Sequence, residues 1–312
     1  VARYLAITGG VGGAKLALGL SKVLPSDEII FIVNTADDFQ YSGLHISPDI
    51  DTLTYTLGGL SNPDTGWGRK NETWNVLGTL ASMQGETWFK LGDSDLALHL
   101  KRTQLLAEGF TLTEATAQIC TALKIPHRVL PVSDDPIKTV LQTKSGALSF
   151  QDYFVKYSFE PEIESIRFDG ANEATLNPLI ADQLKKSSAI EGIIICPSNP
   201  YVSIDPILSI PNMRENLRKI GVPIIAVSPI VDGHALKGPT AKMMAELGMT
   251  PSAATVAMHY EDFLTGFILD KKDGGLKETI NTETVVTNTI MLTLEDKIAL
   301  AREIVNLLKR VK

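Results

Sequence analysis

Two stretches of the chain hold residue types that could do phosphate chemistry. In YLAITGGVGGAKLALGL, Tyr4 to Leu20, the glycines Gly9, Gly10, Gly12 and Gly13 and then Lys15 stand between an apolar run and apolar residues at helical spacing. Backbone amides at the start of a helix attract an anion, and glycines let a phosphate approach with no Cβ in the way. The loop departs from both named phosphate patterns. Ala14 precedes Lys15 and Leu16 follows it, so the hydroxyl that holds magnesium in a Walker A loop is missing. The dinucleotide fingerprint would place its third glycine where Lys15 stands. A phosphate site of unspecified kind and a tight strand-to-helix turn both remain open.

The second stretch supplies acids. NTADDF brings Asp37 and Asp38, and SGLHISPDID brings Asp49 and Asp51. Four carboxylates near a phosphate repel it unless a cation sits among them, and magnesium takes one or two carboxylates plus substrate phosphate oxygens. Mg2+ is therefore inferred, with Asp37, Asp38, Asp49 and Asp51 as candidate ligands. Read as extended chain, Asp49 and Asp51 point the same way, which suits metal binding or the steering of a hydroxyl nucleophile. The alternative is that Asp38 caps a turn and Asp49 caps a helix. His45 could move a proton or simply hydrogen-bond, and SDDP at Ser133 to Pro136 reads as readily as turn chemistry. His99, His127, His234 and His259 do not fall at metal-ligand spacing.

The elements that must position these residues alternate. YLAI, IIFIV, HRVLPV, GIIIC and PIIAV each run into a loop rich in Gly, Ser, Asp or Pro, and TVVTNTIML near Thr284 is a further strand. Helical patterns lie between them at Lys15 to Val23, Asp93 to Leu123, Glu173 to Lys186 and Gly238 to Leu247. A last helix spans Leu294 to Val311, with Thr293 and Asp296 as a variant capping box. Short, nearly all-apolar strands between helices predict an α/β fold: a Rossmann-like, doubly wound, mostly parallel sheet with ligands beyond its carboxyl ends. The whole chain, 1–312, reads as a single domain with an inserted, mainly helical lobe at roughly 52–125. That lobe holds Trp67, Trp74 and Trp88, which either cover a ligand or fill a second apolar cluster under a long loop.

Composition narrows the function. Lys plus Arg number 29 against 36 Asp plus Glu, and a net charge of −7 argues against nonspecific nucleic-acid binding. With 44% apolar residues the chain can bury a large core. No basic n-region, long apolar segment or cleavage site opens it, so a cytoplasmic protein with no membrane partner is expected. Cys120 and Cys196 are far apart and read as core residues.

Taken together, GGVGGAK, NTADDF, SPDIDT, NPDTGWGRKNETWN, KLGDSDLALH, PVSDDP, FQDYFV, CPSNP and VSPIVDG resemble, in order and spacing, the 2-phospho-L-lactate transferase family of coenzyme F420 biosynthesis. Each motif is weak alone, and the nine in sequence are specific. The resemblance implies a magnesium-dependent transfer of a phosphorylated three-carbon acid. The donor is lactyl-2-diphospho-5'-guanosine or its enolpyruvyl analogue, the acceptor is the ribityl hydroxyl of the deazaflavin Fo, and GMP leaves. It implies Gly9, Gly10, Gly12, Gly13 and Lys15 at the diphosphate, and Ser198, Asn199, Ser228 and Pro229 at the nucleotide. Asp51, first, and Asp49 become the catalytic pair, among the four metal candidates. Asp51, Lys90, Asp93, Trp67 and Trp74 fall on the Fo side. Ser94 stands where similar sequences carry Arg, leaving any guanidinium there absent or supplied by Arg102 or Lys101. A homodimer is the family's usual state. Two other readings are a nucleotide-sugar-binding regulator of carbon metabolism and cell shape from the same superfamily, and an NAD-dependent oxidoreductase. DIDT and GWGRKNETWN favour the transferase over the first, and the incomplete fingerprint disfavours the second. Which acid is transferred is not legible in the sequence.

Overall fold

Runs such as IIFIV and GIII have no polar alternation, so their strands must be covered on both faces. The computed structural model describes residues 2–63 and 65–312 and shows this arrangement. In chain order the elements are β1 (Tyr4–Thr8), α1 (Gly10–Val23), β2 (Ile29–Val33), the hairpin strands β3 (Phe39–Tyr41) and β4 (Leu44–Ile46), α2 (Pro48–Leu57), α3 (Asn75–Ser82), α4 (Asp93–Ala107) and α5 (Leu112–Ala122). There follow β5 (Arg128–Pro131), β6 (Lys138–Thr143), β7 (Gly146–Ser149), β8 (Ile163–Asp169), α6 (Pro178–Lys185), β9 (Gly192–Ile195), α7 (Asp205–Leu208), α8 (Met213–Lys219) and β10 (Ile224–Val227). The chain closes with β11 (Ile230–Val231), β12 (His234–Ala235), α9 (Thr240–Glu246), α10 (Ala253–His259), β13 (Gly266–Asp270), β14 (Glu283–Thr287) and α11 (Leu294–Arg310).

Seven strands form the central sheet in the order β14-β13-β10-β9-β1-β2-β5. All its pairings are parallel. The fold is α/β and doubly wound. Period-2 alternation divides β1 between two cores: Leu5 and Ile7 join Ile180, Ile204 and Met213 on one face, while Tyr4 and Ala6 join Leu16, Leu20 and Ile304 on the other. From β1 the order runs one way to β2 and β5 and the other way to β9 and β10, so the topological switch point lies between β1 and β9.

The structure corrects several boundaries. The stretch from Asp93 to Leu123 is two helices, broken at Gly109 with φ +93° and restarted by a Thr111–Glu114 capping box. The helix expected from Glu173 begins at Pro178, capped by Asn177. β13 escaped notice because charged Lys271 and Lys272, rather than turn residues, follow it. The antiparallel sheet β7-β6-β8 also went unseen, since half its residues face solvent and its strands read as ordinary polar chain. Within 52–125, α2 and α5 bury Leu53, Leu112 and Cys120 in the same core as the sheet, whereas α3 buries nothing. Among the described residues no helix is long and apolar enough to cross a membrane.

Two helical glycines test the packing in opposite directions. A Cβ at Gly19 would lie 2.1 Å from the Lys297 carbonyl oxygen, where α1 crosses α11. Gly19→Ala should therefore cost about 1–3 kcal/mol through overpacking, outweighing alanine's helix preference of roughly 1 kcal/mol. Gly78 in α3 has open space around it. Gly78→Ala should gain local helix stability of up to about 1 kcal/mol. Denaturant midpoints for the first variant and hydrogen exchange in α3 for the second check the two signs.

Candidate functional site

A cavity of about 660 Å³ opens beyond the carboxyl ends of β1 and β9. Its floor is built where α1 starts. Gly10, at φ +63°, turns the chain from strand to helix, a conformation that favours glycine. The other glycines serve close packing. A Cβ at Gly12 would lie 2.3 Å from the Pro197 carbonyl oxygen, and one at Gly13 would lie 2.2 Å from Thr8 Oγ1. The α1 N-terminus is thus pressed against the loop that follows β9. Two of its amides are spent inside the protein: Gly9 N–H donates to Ser198 Oγ (3.1 Å) and Gly10 N–H to Asp49 Oδ1 (2.7 Å). The first amides of a helix lack intrahelical acceptors, so Val11 and Gly12, which line the cavity, are the ones placed for an anion. Gly9 and Gly10 line it without a free N–H, and Gly13 lies behind it. Lys15 adds a half-buried ammonium; burial lowers its pKa, and Lys297 and Lys237 lower it further. That ammonium would gain from a nearby anion.

The acids do not form one cluster. Ser47-Pro48 starts α2, with Pro48 in its first turn, so Asp49 and Asp51 are helical rather than extended. Two residues apart on a helix, they diverge by about 200°, and the expectation that they point the same way is overturned. Asp49 turns toward α1 and β2, accepting from Gly10 N–H and from Asn34 Nδ2 (3.0 Å). Asp51 turns toward α4, where the Arg102 guanidinium grips both its oxygens. Asp37 is buried on the cavity wall with Oδ1 unpartnered, and its pKa is raised by burial and then by the charges of Asp49 and Asp38. Burial likewise raises Asp49, against the hydrogen bonds from Asn34 and Gly10. Asp38 lies off the cavity; it accepts from Ser47 Oγ (2.7 Å) and faces His45 Nε2 (3.2 Å), tying the β3–β4 hairpin to the start of α2. Among the described residues no group of three or more His, Cys, Asp or Glu is arranged to hold a metal by itself. Asp37 and Asp49 nevertheless offer the hard, charge-seeking oxygens that magnesium takes together with phosphate.

Ser198, Asn199, Ser228 and Pro229 all line the cavity. Their polar groups are partly committed: Asn199 Oδ1 accepts from Tyr201 N–H, and Ser228 Oγ donates to the Ile230 carbonyl (2.8 Å). Trp67 and Lys90 line the cavity as well. Asp93 and Trp74 do not. The Asp93 carboxylate accepts from the Thr73 hydroxyl (2.6 Å) and caps α3 through Val76 N–H (3.0 Å) and Asn75 N–H (3.1 Å), which together, Thr73 first, hold its pKa down to about 2, and Trp74 stands exposed beside that cap.

Several wall residues have no site role assigned from the sequence, Trp88 apart, which the sequence leaves between covering a ligand and filling an apolar cluster. Trp88 and Phe89 pack with Phe39 and Tyr41 and reach the cavity. Phe150 and Phe154 stack with centroids 5.4 Å apart, and Phe159 continues the row. They come from the segment attached to the overlooked antiparallel sheet. Tyr55, Asp95 and His99 also reach the cavity. Their signal was available: Asp51 and Tyr55 are four apart on α2, and Asp95, His99 and Arg102 follow at i, i+4 and i+7 on α4, so each set shares a helix face. Finally, Lys237 Nζ donates to the Thr65 carbonyl (3.1 Å), joining the loop that bears Trp67 to the loop after β12.

Comparison with known proteins places this geometry. The family model described as 2-phospho-L-lactate transferase CofD matches residues 5–299. The chain is similar to the phosphoenolpyruvate transferase of Streptomyces griseus, at 36% identity over 99% of both chains. It is also similar to the 2-phospho-L-lactate transferase of Methanosarcina mazei, at 38% identity over 85% of this chain and 86% of that one. In fold it is similar to a solved UPF0052-family protein from Bacillus halodurans, with a TM-score of 0.62 and 14% identity, covering 98% of this chain and 99% of that one.

The Asp93 cap makes a prediction with a definite sign. Because the folded carboxyl titrates near 2, below its ordinary value of 3.8, the cap is fully present above about pH 4 and is lost as the pH falls through 2. Hydrogen exchange at Asn75 and Val76 should stay slow from neutral pH to 4 in the wild type. Asp93→Ala should speed it across that range, and unchanged exchange would remove the capping role.

Proposed function

Because the chain belongs to the 2-phospho-L-lactate transferase CofD family, we propose that it transfers a phosphorylated three-carbon acid, 2-phospholactate or phosphoenolpyruvate, from a guanosine diphosphate-linked donor to the ribityl hydroxyl of the deazaflavin Fo. The bond from that hydroxyl oxygen to phosphorus forms, the bond from the same phosphorus to the GMP phosphate oxygen breaks, and the hydroxyl proton leaves to a carboxylate. The product is a phosphodiester, coenzyme F420-0 or its dehydro form. The observation that carries the reading is a single cavity that joins an anion-seeking helix terminus and Lys15 to an aromatic wall of Trp67, Trp88 and the Phe150–Phe154 stack. A diphosphate and a flat polycyclic ring need those two surfaces in one space.

In this reading Val11 N–H, Gly12 N–H and Lys15 bind the diphosphate, while the loops at Ser198–Asn199 and Ser228–Pro229 shape the guanosine side. Asp37 and Asp49 would hold magnesium, which, when bound, neutralises charge on the donor phosphates. Asp51 orients the attacking hydroxyl and takes up its proton. Aromatic faces exclude water from the transfer and fix the ring. Asp38 and Asp93, off the cavity, act through the loops they hold, and Trp74 takes no part in the cavity. The homodimer belongs to the same reading; sedimentation of the purified chain tests it.

The deciding experiment incubates the protein with Fo, magnesium and each guanosine-linked donor, following GMP release and product mass. Phosphodiester formation is expected, and the mass identifies the acid. If Fo neither reacts nor binds, the nucleotide-sugar-binding regulator becomes the better account. Asp51→Ala should lower kcat by about 10²- to 10⁴-fold while the fold persists. Near-normal turnover at saturating magnesium would remove Asp51 from its role. Lys15→Ala should weaken GDP binding by roughly tenfold or more, the scale of a charge-assisted contact, with little change in Fo binding. Equal losses for both ligands would count against a diphosphate contact.

A further inference from the structure

Asp51 is gripped from behind the cavity wall. Arg102 is fully buried and lies outside the cavity lining, whereas its partner Asp51 is part of that lining. Both guanidinium Nη atoms are committed to the Asp51 oxygens, Nη1 at 3.1 Å from Oδ2 and Nη2 against Oδ1. Nη1 also lies 3.4 Å from His99 Nδ1 and 3.5 Å from the His45 carbonyl, which it can donate to. Farther along the α4 face, His99 Nε2 is 3.2 Å from Asp95 Oδ1, and that same oxygen accepts from the Tyr55 hydroxyl of α2. The Asp51–Arg102 fork and the Tyr55–Asp95 hydrogen bond thus tie the two helix faces together, with the His99 imidazole between them and its Nε2 left without a hydrogen bond.

As a device for stability this arrangement is poor. A buried ion pair pays desolvation that well-packed apolar residues avoid. Arg102 Nε is moreover buried with no hydrogen-bond partner, which adds to that cost. What the fork does supply is direction. A guanidinium gripping both oxygens fixes the rotation of a carboxylate and uses one lone pair on each; His99 Nδ1 lies 3.6 Å from Oδ2, and the carboxylate remains part of the cavity lining. A lysine in its place would be a single point charge about which the carboxylate could turn. Resting on the transferase reading above, we infer that Arg102 is the positioning residue of the reaction, fixing the Asp51 carboxylate so that it meets the attacking hydroxyl. His99, Asp95 and Tyr55 hold the guanidinium's face of α4 against α2.

The test is Arg102→Lys in the full chain, which keeps the charge and removes the fork. A kcat fall on the order of 10- to 100-fold is expected from misalignment, with KM for donor and for Fo each within about twofold of wild type. A folded Arg102→Lys with wild-type kcat overturns the inference while leaving the transferase reading intact. Wild-type protein that forms no phosphodiester overturns both. Should Arg102→Lys not fold, the decision passes to nitrogen NMR of the wild-type protein. Separate, slowly exchanging Arg102 Nη signals that persist when Fo is added support a clamped fork, and a single averaged signal overturns it.

Discussion

One buried carboxylate joins the loops on which the site depends. Asp49 sits in the first turn of α2, accepts the Gly10 amide at the start of α1, and accepts the Asn34 side chain just beyond β2. Two of those segments leave the central sheet at the adjacent strands β1 and β2, and the third follows the β3–β4 hairpin, so the carboxylate joins parts of the chain that belong to different sheets. Asp49 does so at an electrostatic cost, since burial alone would drive it toward the neutral form and the two donors hold it back. The same bond removes Gly10 from the set of amides that could meet a ligand. The geometry of the α1 terminus and the chemistry left on it are therefore one fact.

Around that knot the glycine loop acquires a different meaning from the one its spacing suggests. Gly12 and Gly13 have no room for a Cβ because the protein itself, through Pro197 and Thr8, occupies the space. Their first duty is to let two loops meet across the switch point; receiving an anion is left to the amides the protein does not use. This accounts for the mismatch with both named phosphate patterns, which are written for loops whose glycines make way for the ligand.

How much was legible follows from the same physics. The apolar strands, the doubly wound sheet and the capping box at Thr293 were readable because each is a local pattern with a local cause. The acids were readable as types, not as directions. SPDID looks extended until Pro48 is given its weight as a helix starter, and with the helix Asp49 and Asp51 part company. Asp93, an acid in a quoted motif, turned out to serve a helix terminus 17 and 18 residues earlier in the chain, a pairing no spacing rule anticipates. The Phe150–Phe154 wall was hidden for another reason: β6–β8 alternate between a small core and solvent, so the hydrophobic signal that marks the main sheet is halved.

That small core carries a consequence of its own. Leu141, Tyr153, Ile163, Val202 and Met243 form a cluster separate from the two layers that clamp the central sheet. Substitutions among them, or along the aromatic row they support, draw on a separate reserve of packing energy, so one wall of the cavity can drift during evolution while the switch point stays unchanged. A scaffold so divided can inherit its phosphate chemistry and renegotiate what lies beside it.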